Sequence, residues 1–193
     1  MPSLSLPDPL LDRLRDLGGV RAGHTVFRNG FHGDGWLEKG VLIRRPDLLD
    51  EVARRQAESV RAHFPQTDVL VGASQCGAVL TGFVARHLGA QFAFTSSVGE
   101  LAFHRMFVPE AGRKAVFVDD LICSGADLRA HAAFLRAASM TPLGASCWVN
   151  RQAGEVAGVR VVPLMPAPFH LYMPGACPLC REGVPVQYQN VRE

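Results

Sequence analysis

Residues 115–127 read AVFVDDLICSGAD. Ala115–Val118 is a short apolar run between polar flanks, which predicts a strand buried on both faces. Two carboxylates, Asp119 and Asp120, stand at its end, and a small-residue loop follows, Cys123-Ser124-Gly125-Ala126-Asp127. Leu128, Ala132, Leu135 and Ala138 then recur at helical spacing. A strand, an acidic pair, a glycine turn and a helix N-terminus make an anion site, because loop N–H groups and the positive end of the helix dipole face a phosphate. The adjacent carboxylates are acceptors suited to the vicinal hydroxyls of a sugar. Together they describe a site for a ribose 5-phosphate. Acidic pairs at strand ends and Ser-Gly turns are also common without any ligand, and one aspartate could serve only to cap the helix.

Working outward, the same alternation continues on both sides. Asp8-Pro9 predicts a helix start, with Leu10, Leu11, Leu14 and Leu17 on one face and Gly18-Gly19 as its stop. Residues 20–43 read as a hairpin, turning at Asn29-Gly30 and returning through Trp36–Ile43. A helix opens at Pro46-Asp47, turns Leu49, Val52, Ala53, Gln56, Ala57, Val60 and Phe64 inward, and stops at Pro65. Val69–Val71 predicts a strand, Ala73–Gly77 a loop and Ala78–Leu88 a helix. Gln91–Thr95, Ala145–Val149 and Val159–Leu164 predict further strands, and 96–114 is a long connection. Strands separated by helices imply right-handed crossovers and a parallel sheet.

The bulk numbers fit one α/β domain of 193 residues, 48% hydrophobic and 20% charged. A net charge of +2 with no basic run gives no reason to expect nucleic acid. No apolar stretch reaches the roughly 18–20 residues of a membrane span. The opening MPSLSLPDPLLDRL lacks the basic and apolar regions of a signal peptide. Five scattered cysteines point to a reducing cytoplasm.

VFVDDLICSGADL resembles the motif with which type I phosphoribosyltransferases bind 5-phosphoribosyl 1-pyrophosphate (PRPP), with Cys123-Ser124-Gly125 in place of a Thr-Thr-Gly-like loop. Within that family the chain is most similar to the orotate enzymes. Arg28-Asn29-Gly30-Phe31-His32 and Trp36 resemble an early segment beside the base, and Val69–Gly77 resembles the strand and loop that hold pyrophosphate. Trp148-Val149-Asn150-Arg151-Gln152 resembles the segment whose arginine meets orotate's carboxylate, and the tail CPLCREGVPV looks like that of some bacterial orotate enzymes. The resemblance implies a mostly parallel sheet flanked by helices. It divides the chain into an N-terminal helix and hood (1–45), a PRPP-binding α/β core (46–165) and a tail (166–193).

On that resemblance PRPP is bound by Asp119, Asp120, Leu121, Ile122, Cys123, Ser124, Gly125, Ala126 and Asp127, with Arg28, Ala73, Ser74, Gln75, Cys76 and Gly77. Arg151, Trp36 and Phe31 meet the base. Mg²⁺ arrives with PRPP, the partners are small molecules, and the chain forms a homodimer. Asp119 and Asp120 stabilise positive charge on the ribose as a base displaces pyrophosphate.

Two departures qualify this. The family's catalytic loop carries lysines, whereas residues 95–105 hold none and the whole chain has only Lys39 and Lys114. Arg105 and His104 are the residues expected to replace them. The alternatives are a PRPP-binding regulator without transferase activity and a transferase for another base. Asn150 is the second departure, since an acidic residue is usual before the arginine. Cys177-x-x-Cys180 is half of a zinc knuckle, with His170 the nearest other ligand type. A reduced pair in a tight turn is the favoured expectation, and zinc the lesser one.

Overall fold

Ala115–Val118 lies at the centre of a six-stranded sheet, all four side chains buried. The computed structural model describes residues 9–27, 29–73, 75–96, 100–152 and 154–189. In chain order, α1 (Pro9–Asp16), β1 (Val20–Val26), β2 (His32–Leu37) and the one-turn α2 (Gly40–Ile43) come first. Next are α3 (Pro46–His63), β3 (Val69–Ala73), α4 (Cys76–Leu88), β4 (Gln91–Ser96) and β5 (Ala102–Phe103). β6 (Lys114–Ile122), α5 (Ala126–Ala137), β7 (Thr141–Asn150) and β8 (Arg160–Met165) follow. Last come β9 (Leu171–Tyr172), α6 (Pro178–Arg181) and β10 (Tyr188–Gln189). No described helix is long and apolar enough to cross a membrane.

The chain divides into two compact units, residues 42–166 and residues 1–41 with 167–193. The larger unit holds the sheet β5-β4-β3-β6-β7-β8, parallel except for the short β5. Its strands are bounded by the punctuation of the sequence: Pro65 follows α3, and Gly89 in a left-handed conformation ends α4. α3 buries Leu48, Leu49, Val52, Ala53, Gln56, Ala57 and Val60, as its apolar spacing requires. Each fully buried Val, Leu or Phe contributes about 1.5–3 kcal/mol relative to exposure, so Val116, Phe117 and Val118 make β6 a strong centre.

β3 and β6 are neighbours, yet their crossovers leave in opposite directions, to β4 and to β7. Right-handed crossovers therefore set α4 and α5 on opposite faces of the sheet. The gap beyond the carboxyl ends of β3 and β6 is the switch point where such sheets bind ligands.

The smaller unit is built on the sheet β10-β1-β2-β9. β1 and β2 form the expected hairpin, with Val26 opposite His32. The proposed return strand Trp36–Ile43 is shorter than expected: β2 ends at Leu37 and residues 40–43 coil into α2. The tail belongs to this unit, because β10 pairs with β1 and β9 with β2. α1 begins at Pro9 and buries Leu10, Leu11 and Leu14; the proposed cap Asp8 falls outside the described residues.

Candidate functional site

β6 does not stop at Val118. It runs on through Asp119, Asp120 and Leu121 to Ile122, pairing Leu121 with Val149 and Ile122 with Asn150 of β7. The acidic pair therefore sits inside the last part of the strand rather than in a loop after it. The two carboxylates are set differently. Asp119 is half-buried, and its Oδ1 accepts the Asp120 N–H at 2.9 Å. Asp120 is only 2% exposed.

Ile122, expected among the ligand-binding residues, packs instead with Phe117, Leu128, Cys147, Val156 and Val159 in the core. Its side chain holds the strand end in place and is not offered to a ligand. Leu121 is half-buried in the strand.

The turn after β6 matches the sequence reading more closely. Gly125 has φ +72°, and a β-carbon there would lie 2.8 Å from Val156 Cγ1, so both backbone and space call for glycine. Ser124 Oγ accepts the Ala126 N–H at 3.3 Å, and α5 begins at Ala126. Ser124, Ala126 and Asp127 are exposed, and Cys123 is a half-buried free thiol. Besides the loop amides and the helix dipole, the turn carries a side-chain cation: Arg129 donates to the Ser124 carbonyl at 2.8 Å. Its position one helical turn into α5 was the signal available for finding it.

On the other side of the switch point stands the turn between β3 and α4. Gln75 holds φ +66°, an uncommon conformation for a residue with a β-carbon and one that marks a constrained turn. α4 starts at Cys76, two residues earlier than the pattern predicts. Gly72 lets it do so, since a β-carbon there would meet the Gly77 carbonyl oxygen at 2.5 Å. Gly77 in turn lies beside the acidic pair, where its β-carbon would be 3.6 Å from Asp119 Oδ1. The N-terminus of α4 thus lies beside Asp119, α5 opens after the turn that ends the same strand, and Ala73 closes β3 below the first turn.

The end of β7 is tied to the same turn. Arg151 N–H donates to the Ile122 carbonyl at 2.8 Å, and the Gln152 amide donates to the Cys123 carbonyl. Asn150 Oδ1 accepts the Gln152 N–H at 2.9 Å, so the residue that departs from the family pattern shapes the segment carrying Arg151. Cys147, opposite Asp119 in the register, is fully buried; burial, then the Asp119 charge, pushes its thiol pKa up, so it stays protonated.

Other expected residues are not brought to this place. β5 folds back on β4 antiparallel, with Ser96 opposite Ala102 and Thr95 opposite Phe103. His104 continues that return, its N–H donating to the Phe94 carbonyl and its ring stacked on Phe94. Arg105, exposed in the next turn, follows it away from the carboxyl edge of β4. The register, which period-two patterning over so short a strand could not reveal, separates both from Asp119. In the smaller unit Trp36 stacks on Tyr188 at 4.9 Å, which covers one face of the ring expected to meet a base. Phe31 closes the hairpin turn, its carbonyl accepting the Phe27 N–H. Arg28 and Ser74 lie outside the described residues. His170, the ligand type nearest the cysteines in the sequence, bonds Asp34 at 2.7 Å.

No family model matches the chain. It is 28% identical over 183 residues to the orotate phosphoribosyltransferase of Methylorubrum extorquens, 93% of each chain being covered. Among solved structures, the orotate phosphoribosyltransferase from Aeropyrum pernix matches with a TM-score of 0.68 at 20% identity, covering 81% of this chain and 93% of that one. An adenine phosphoribosyltransferase from Saccharomyces cerevisiae matches with a TM-score of 0.60 at 18% identity, covering 68% and 86%. At such identities the structural matches speak to the fold alone.

Proposed function

We propose that this chain, a divergent type I phosphoribosyltransferase in fold and in resemblance, transfers the phosphoribosyl group of PRPP to orotate in pyrimidine nucleotide synthesis. The observation that carries the reading is the setting of Asp119: beside the N-terminus of α4, on the strand that leads into the left-handed Gly125 turn and α5, at the switch point of a parallel sheet.

In this reading the Ser124–Asp127 amides hold the 5-phosphate, with Arg129 adding positive charge to the turn. The turn before α4 takes the pyrophosphate end. Asp119 receives the ribose hydroxyls, and Asp120, buried next to it in the strand, supports a cationic ribose electrostatically. A half-open carboxylate is a hard oxygen donor that fits Mg²⁺ carried by PRPP, and the ion would screen the pyrophosphate as it leaves. Arg151, held against the Cys123 turn by its neighbour's hydrogen bonds, offers a planar fork for the carboxylate of orotate.

His104 and Arg105 would then act on a second copy's site in a homodimer, since their own hairpin carries them away from Asp119. A dimer mass by light scattering at micromolar concentration is the expected result; a monomer would remove that role.

The decisive experiment pairs calorimetry with turnover. Wild type is expected to bind PRPP with Mg²⁺ and to consume it with orotate. Asp119→Asn with Asp120→Asn should weaken PRPP at least tenfold, about 1.4 kcal/mol. Unchanged affinity in the double variant would sink the site assignment. Binding without turnover on orotate would leave the other bases of a panel, and with none accepted a regulator.

A further inference from the structure

Four side chains from opposite ends of the chain converge in the smaller unit: His24 on β1, His32 on β2, Cys177 before α6 and Cys180 within it. One ligand atom of each lies within 4.8 Å of all the others. His24 Nε2 is 3.0 Å from His32 Nδ1, 3.7 Å from Cys177 Sγ and 3.5 Å from Cys180 Sγ, and Cys180 Sγ is 3.3 Å from His32 Nδ1. A tetrahedral zinc ion with Zn–N near 2.05 Å and Zn–S near 2.3 Å requires N···N of about 3.3 Å and N···S of about 3.6 Å. The three N···S separations bracket the second value, and the N···N separation is somewhat shorter than the first. We propose that His24, His32, Cys177 and Cys180 form a closed, structural zinc site.

Three further features fit it. His24 Nδ1 lies 2.7 Å from the Val184 carbonyl, so that nitrogen carries the proton and Nε2 presents a lone pair to the cluster. The aim of His24 comes from an irregularity in the hairpin: the register shifts between Ala22 and Thr25, and His24 and Thr25 are buried in succession where a regular strand would alternate. Gly23 permits this bend, at φ +142°, with Gln187 where its β-carbon would be. Both cysteines are free thiols, so no disulfide competes for them.

The site also answers a need of the fold. Besides Leu10, Leu11, Leu14, Phe169 and Cys177 the described part of this unit has no fully buried apolar side chain, a core small enough to call for a staple. Four protein ligands leave no open position, so the ion holds β1, β2 and the tail together and activates no water. This inference does not rest on the proposed transferase activity.

The test is metal analysis of the full chain, made without a histidine tag in zinc-supplemented medium. About one zinc per chain is expected. Less than a tenth, or iron in its place, overturns the proposal. Cys180→Ser should drop the stoichiometry at least fivefold, while His32→Cys, which keeps four ligands, should retain it; equal zinc in Cys180→Ser refutes the ligand set. His170→Ala should leave zinc unchanged, and its loss there would also refute the set. Should Cys180→Ser fail to fold, cobalt added to metal-stripped wild type decides. Tetrahedral ligand-field bands with thiolate charge transfer are expected, and a weak octahedral spectrum overturns the site.

Discussion

The two compact units are held together by different chemistry. Residues 42–166 close around strands buried on both faces, with Leu70, Val71, Val116, Phe117, Trp148 and Val149 at 1% exposure or less. The smaller unit buries His24 and Thr25 in its strands, links Asp34 to His170 and Tyr172, stacks Trp36 on Tyr188, and gathers two histidines and two cysteines. A parallel sheet covered by helices can rely on non-directional apolar burial. A four-stranded sheet with two strands of two residues each cannot, and directional contacts take over. The contrast teaches where substitutions of similar size should hurt most.

Leu70→Ala, in the fully buried β3, is expected to have the largest effect, lowering stability by about 2–5 kcal/mol in urea unfolding. A loss below 1 kcal/mol would mean the larger unit does not depend on close apolar packing. Gly125→Ala comes next. A β-carbon at φ +72° costs about 1–2 kcal/mol, and contact with Val156 adds to it. Because the turn is also the phosphate cradle, PRPP affinity should fall with stability, and calorimetry showing full affinity would separate turn shape from binding.

The smallest effect sharpens the contrast from within the larger unit, through its one buried histidine among the described residues. His131 Nδ1 donates to the Asp127 carbonyl at 2.7 Å, and its Nε2 lies 2.7 Å from Thr95 Oγ1. Burial, its largest cause, holds its pKa below the ordinary 6.5. Above about pH 6.5 neither folded nor unfolded chain protonates it. As pH falls below that value the unfolded chain takes up the proton first, and stability is lost until the folded pKa is passed. Urea midpoints at pH 8, 7, 6 and 5 should therefore fall more steeply for wild type than for His131→Gln. Parallel curves would show that the ring's burial carries no pH dependence.

How much of this was legible in the sequence follows the same division. The core strands announce themselves because burial on both faces demands unbroken apolar runs, and the turn at Gly125 because left-handed backbone demands glycine. The end of β6 was misread because Asp119 and Asp120 interrupt the apolar run while the backbone ladder continues to Ile122. β5 escaped notice, since two residues carry no period. The histidine–cysteine cluster escaped for another reason: its members are joined only by pairing of the first hairpin with the tail, and no spacing rule spans that distance. The one local signal is the hairpin itself: His32 lies opposite Val26, two residues from His24, and the two imidazoles approach to 3.0 Å.

The pairing of Thr25 with Tyr188 has a consequence for the order of events during synthesis. β1 and β2 are translated well before their partners β9 and β10, which begin at Leu171 and Tyr188. At about 5–20 residues per second the first hairpin waits on the order of 10–30 s for its sheet to be completed. In that interval the stretch from α3 to β8 has everything it needs to fold, while β1 and β2 expose open edges. The nascent chain is therefore vulnerable to edge-to-edge association at this hairpin, and for longest when translation is slow.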